Sequence, residues 1–67
     1  MIKNLQKIRK AKQYTQKELA NLSGLSIDSI KSIENNRMIA SIETLLKLAN
    51  VLQCSTDYLL GLKETEN

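Results

Sequence analysis

Apolar residues recur along the chain at spacings of three and four, in short groups separated by polar residues, which is the period of helices lying against a core. Ile2, Leu5 and Ile8, continued by Ala11 and the stem of Lys12, predict an amphipathic helix ending near Gln13, with Tyr14 packed at the corner beyond it. Leu19, Ala20 and Leu22 supply the inward face of a short second helix, and Ile30 and Ile33 that of a third. Ile42, Leu45, Leu46, Ala49 and Leu52 form a broad apolar stripe on a fourth, and Asp57 to Leu60 makes a last short helix.

The polar residues between these groups mark where the helices begin and end. Thr15 offers a hydroxyl cap with Glu18 three residues on, the pattern in which each side chain satisfies the other's backbone N–H. That helix stops at Ser23-Gly24. Ser26 caps the third, with Asp28 in the first turn, where a carboxylate suits the helix dipole. The third helix ends around Glu34 to Asn36, and Asn36 is suited to the left-handed conformation of a helix end. Ser41 caps the fourth, Ser55 or Thr56 caps the fifth, and Gly61 closes it. An all-α chain of five helices results, with no repeat, linker or low-complexity segment.

Composition narrows the function. At 67 residues the chain is read as one domain, 1–67, with a thin core and no room for a second functional unit. Its 42% hydrophobic and 25% charged content is that of a soluble globular protein. The single Cys, Cys54, excludes an internal disulfide, and the absence of His removes any Cys/His metal site or nucleophile–base pair. An enzyme and a cofactor are therefore not expected, and Cys54 is expected to pack as a small hydrophobe. The N-terminal stretch carries no signal-peptide apolar run, and no run is long enough to cross a bilayer, so the expected location is the cytoplasm, with no membrane partner.

The net charge of +3 is unevenly placed: Lys3, Lys7, Arg9, Lys10, Lys12 and Lys17 precede the first acid, Glu18, whereas Glu43, Asp57, Glu64 and Glu66 outnumber Lys47 and Lys63 after Ser41. A basic half and an acidic half fit either a polyanion partner on one side or a merely solvated basic helix face.

Two helices joined by a turn of about three or four residues and crossing steeply need a small residue where they touch and a Gly where the turn goes left-handed. Counting from Gln16, Ala20 is fifth, Gly24 ninth, Ile30 fifteenth and Ile33 eighteenth. This combination resembles the helix-turn-helix of phage repressors and Cro proteins, with the motif at about 16–35. The likeness extends over "IRKAKQYTQKELANLSGLSIDSIKSIENNRMIASIETLLKLANVLQCSTDYLL", which looks like the compact five-helix, lambda-repressor-like DNA-binding domain of the Cro/C1 or xenobiotic-response-element family. Gln13 stands where many members carry Gly, and Ala40 where Pro is common; both bear on local stability. A short polar tail occupies about 63–67.

The resemblance implies that the third helix enters the major groove and presents Ser26, Ile27, Asp28, Lys31 and Ser32 to base edges. Ile27 lies about 120° around the helix from Ile33, where it either meets a thymine methyl or covers the rim of the core. Asp28 either accepts from cytosine N4 or only stabilises its helix; Lys31 reaches guanine or a phosphate and Ser32 donates or accepts, unless both are simply solvated surface. Ser29 falls between the two faces and is left out. Thr15, Gln16, Lys17, Asn35 and Arg37, with helix N-terminal amides, would clamp phosphates without reading sequence, and Lys10 or Lys12 would add long-range attraction. Arg9 and Glu34 match positions that form a partly buried ion pair tying the first helix to the third.

Double-stranded DNA is the implied partner, bound by a homodimer across half-sites about 34 Å apart. Val51, Tyr58, Leu59 and Leu62 offer apolar surface for that pairing, unless Leu59 and Leu60 simply close the core. No small-molecule ligand is evident, so regulation is expected from protein concentration, a partner or proteolysis. The expected function is repression by occupying a palindromic operator. The alternative is a protein-interaction module, an antitoxin or adaptor, which would need neither the exposed third helix nor its basic flank.

Overall fold

The computed structural model describes residues 4–63; Ile2, Lys3, Glu64 and Glu66, with most of the polar tail, lie outside the described residues. Among the described residues five helices follow one another: α1 (Leu5–Ala11), α2 (Gln16–Ser23), α3 (Ile27–Glu34), α4 (Ile42–Leu52) and α5 (Thr56–Leu60). Four of the five starts are built by the same device. Thr15 accepts from the Glu18 amide while the Glu18 carboxylate accepts from the Thr15 amide, and Ser26, Ser41 and Ser55 accept from the amides of Ser29, Thr44 and Tyr58. Each such cap contributes about 1 kcal/mol.

The start of α1 is held differently. Asn4 makes no side-chain cap; its backbone N–H donates to the Leu59 carbonyl at 3.1 Å and its Nδ2 to the Tyr58 carbonyl at 2.8 Å. The first helix is thereby anchored to the last. Helix ends use left-handed residues: Gly24 (φ 73°) after α2 and Gly61 (φ 82°) after α5, but also Gln13 (φ 65°), Asn36 (φ 59°) and Gln53 (φ 54°). The left-handed state costs a non-Gly residue roughly 1–2 kcal/mol; Gln13 and Gln53, both exposed, are held there by backbone bonds that close the helix ends, Gln13 and Tyr14 N–H donating to the Lys10 and Arg9 carbonyls and Gln53 and Cys54 N–H to those of Asn50 and Ala49.

One core collects Leu5 and Ile8 from α1, Leu19 and Ala20 from α2, Ile30 and Ile33 from α3, Leu48, Ala49 and Leu52 from α4, and Leu59 from α5. Tyr14, Leu25, Leu45, Val51, Cys54 and Tyr58 pack around it. Helix α2 packs on α3 and α4, and α5 on α1 and α4.

Two inward faces differ from the pattern read in the sequence. Leu22 is 56% exposed, and the buried residue is Ser23, whose hydroxyl donates to the Leu19 carbonyl at 2.7 Å. Ser23 lies between Leu19 and Ala20 around the helix, whereas Leu22 is about 110° off that line. A small serine bonded to its own helix fits where α2 meets its neighbours. On α4 the stripe is displaced in the same way. Ile42 and Leu46 are 77% and 55% exposed, while Leu48, absent from the expected stripe, is fully buried. Leucines at 45, 46 and 48 define two overlapping faces, and the packing of α2 and α5 selects the one centred on Leu48, Ala49 and Leu52.

Candidate nucleic-acid interface

Helices α2 and α3 pack on one another, Ala20, Ile30 and Ile33 are all buried in the shared core, and the turn between the helices passes through left-handed Gly24. The Leu25 amide closes that turn on the Ala20 carbonyl at 3.0 Å. Because both helices are fixed to one core, the outer side of α3 has a set orientation relative to the start of α2.

Ser26, Ile27, Asp28 and Lys31 are exposed on or just before α3, and Ser32 is half-buried. Ile27 is outside the core, as its position around the helix requires. The Ser26 hydroxyl is already committed: it accepts from the Ser29 amide at 3.1 Å and donates to Ser29 Oγ at 2.9 Å. Ser29, set aside in the sequence reading, thus carries the hydroxyl of the pair whose own proton is not used in it. Nothing in the spacing signals this, because it depends on which serine caps.

Among the candidate phosphate residues, Thr15, Lys17, Asn35 and Arg37 are exposed. Thr15 Oγ1 accepts the Glu18 amide at 3.0 Å, which leaves its proton available to a further acceptor. Arg37 sits in a turn folded back onto α3, with its amide donating to the Ser32 carbonyl at 2.8 Å. Among the described residues no acid is paired with Lys17, Lys31 or Arg37, so these three charges face solvent.

Gln16 is the exception: it is half-buried, and its Nε2 donates to Glu34 Oε1 at 3.0 Å. Glu34 is in turn gripped by Arg9, with Nε on Oε2 at 2.6 Å and Nη2 on Oε1 at 3.2 Å. Arg9 spends a third N–H on the Tyr14 carbonyl at 2.7 Å. The two charged side chains are 8% and 3% exposed. One buried pair therefore joins α1, the corner at Tyr14, the start of α2 and the end of α3. The sequence indicated the pair; Gln16 as its third member could be found only from the fold.

Of the four residues expected to pair two copies, Leu59 is fully buried in the core and Val51 and Tyr58 are half-buried against it, leaving Leu62, 73% exposed, as the open one. Among the described residues no helix is long and apolar enough to cross a membrane, and no group of His, Cys, Asp and Glu is gathered that could hold a metal ion.

Residues 5–59, the span from the first core leucine to the last, match the helix-turn-helix family. The chain is a Cro/C1-type helix-turn-helix protein. Proteins of this family are non-enzymatic and bind DNA. The helix-turn-helix chain is 39% identical over 62 residues to the HTH-type transcriptional regulator ImmR of Bacillus subtilis (strain 168), covering 92% of this chain and 49% of that protein. It is 38% identical over 53 residues to the cryptic phage CTXphi transcriptional repressor RstR of Vibrio cholerae, covering 79% and 47%. It is also 36% identical over 56 residues to an SPbeta prophage-derived uncharacterized HTH-type transcriptional regulator, YonR, of Bacillus subtilis (strain 168), covering 84% and 52%. The chain spans about half the length of these relatives.

Proposed function

We propose that this helix-turn-helix protein is a transcriptional regulator of the repressor type, acting in the cytoplasm, which places α3 in the major groove of a palindromic operator as a homodimer. The observation that carries the reading is the outer face of α3: it is open at Ser26, Ile27, Asp28 and Lys31, it is set relative to α2 through the turn at Gly24, and Lys31 on it and Lys17 and Arg37 beside it have no acid partner among the described residues. Such a face serves a polyanion. Each phosphate contact by a cation releases counterions and makes binding steeply salt-dependent.

Within it, Ile27, Asp28, Lys31 and Ser32 are the base-reading residues, with Ser26 acting through Ser29. Thr15, Gln16, Lys17, Asn35 and Arg37 hold the backbone on either side. The names of ImmR and RstR, a regulator and a phage repressor, support the regulatory reading. One α3 covers only a few base pairs, so two copies related by a two-fold axis double the contact. Leu62, with the partly open Val51 and Tyr58, is the apolar surface for that pairing, and Leu59 serves the core instead. The reading is tested by titrating the protein with a random-sequence duplex at several salt concentrations. Binding that weakens steeply with salt is expected, and no binding at low salt would refute it.

A further inference from the structure

The Arg9–Glu34 pair has a geometry that a purely structural tie does not need. Glu34 Oε1 accepts two bonds, from Arg9 Nη2 at 3.2 Å and from Gln16 Nε2 at 3.0 Å. Gln16 is the first residue of α2, beside the capping Thr15. A side-chain amide carries a donor nitrogen and an acceptor oxygen, and on an open surface either end can face outward; a phosphate accepts only from the nitrogen. A carboxylate is acceptor-only, so Glu34 selects the orientation in which the nitrogen points toward it. One N–H is spent on Glu34, and the second, fixed in the amide plane, is left to donate.

A carboxylate at this place would by itself repel a phosphate. Arg9, buried and bonded to both of its oxygens, cancels that charge while leaving Oε1 able to hold Gln16. We infer that Arg9 and Glu34 are positioning residues for DNA binding: the neutralised pair orients the Gln16 amide so that its free N–H meets a backbone phosphate. The inference rests on the DNA-binding reading above and adds two buried residues that touch no DNA themselves.

The test is a double-mutant cycle on DNA affinity. Replacing both charges by apolar side chains, Arg9→Met with Glu34→Met, removes the pair without stranding a charge in the interior. In the parent, Gln16→Ala should weaken duplex binding roughly tenfold, the loss of one hydrogen bond to a charged group. In the background without the pair the same change should cost less than about threefold, because the amide is no longer oriented. The salt slope should be the same in both backgrounds, since neither Gln16 nor the neutral pair releases counterions.

An equal loss in the two backgrounds would overturn the inference, and so would a flatter salt slope without the pair, which would mean that Arg9 reaches a phosphate itself. A second measurement needs no variant: in the parent's nitrogen-edited NMR spectrum the Gln16 side-chain amide should stand apart from the other glutamines before DNA is added and shift when it is. A Gln16 amide at the free-glutamine position in the unbound protein would also overturn it. A parent that binds no duplex would instead refute the DNA-binding reading, and it would do so before any variant is made.

Discussion

Removing one half of the buried pair has a large consequence for the fold. In Arg9→Met the Glu34 carboxylate, 3% exposed, loses the bonds at 2.6 and 3.2 Å and keeps only the Gln16 amide. The Tyr14 carbonyl loses its donor as well. Stranding one member of a buried pair costs about 3–5 kcal/mol. A chain of 67 residues, at about 0.05–0.15 kcal/mol per residue, has a total stability of roughly 3–10 kcal/mol. Each kcal/mol shifts the melting midpoint of so small a domain by about 4–8 °C, so a fall of at least about 12 °C is expected. Thermal and urea melts followed by far-ultraviolet circular dichroism measure it. The paired change, Arg9→Met with Glu34→Met, should recover most of that loss and melt within about 8 °C of the parent, because no charge is left stranded and the remaining cost is the Tyr14 carbonyl without its donor. A single variant that melts within a few degrees of the parent would refute the reasoning, since the carboxylate would then have found water or another partner.

Three further substitutions test other parts of the account. Leu48→Ala should cost about 2–5 kcal/mol and Leu46→Ala less than about 0.5 kcal/mol by urea denaturation; similar costs would mean that α4 turns a different face inward. Gly24→Ala should destabilise by about 1–2 kcal/mol through its φ of 73° alone, since a Cβ there meets nothing within 4 Å, and Gly24→Asn should cost less; equal costs would point to a steric cause. Lys31→Ala and Ser32→Ala should each relax base discrimination at one position by about 1–3 kcal/mol with unchanged melting; unaltered base preference would remove them from readout.

How much of this was readable in advance depended on whether the signal was local. Helix starts were legible because a hydroxyl cap needs only its own first turn, as at Thr15, Ser26, Ser41 and Ser55. The left-handed Asn36 was legible for the same reason. The start of α1 was not, because Asn4 bonds to carbonyls of Tyr58 and Leu59 more than fifty residues along the chain. The inward faces were legible where apolar residues were few, as with Ile30 and Ile33 on α3. They were ambiguous where leucines crowd, as at 45, 46 and 48, because partner helices choose the buried face. The candidate site divides similarly. Exposed α3 residues follow from position around one helix, whereas the union of Gln16 with Arg9 and Glu34 requires α1, α2 and α3 to be assembled first.

The measurement that bears most directly on the central claim is selection of bound sequences from a random duplex library, followed by titration of the winners. The account predicts a two-fold symmetric site with half-sites about one helical turn apart, roughly 34 Å, bound by two copies of the chain. Its affinity should exceed that for unselected DNA by at least about a thousandfold. Recovery of no common sequence, with affinity the same for every duplex, would contradict sequence-specific recognition by α3.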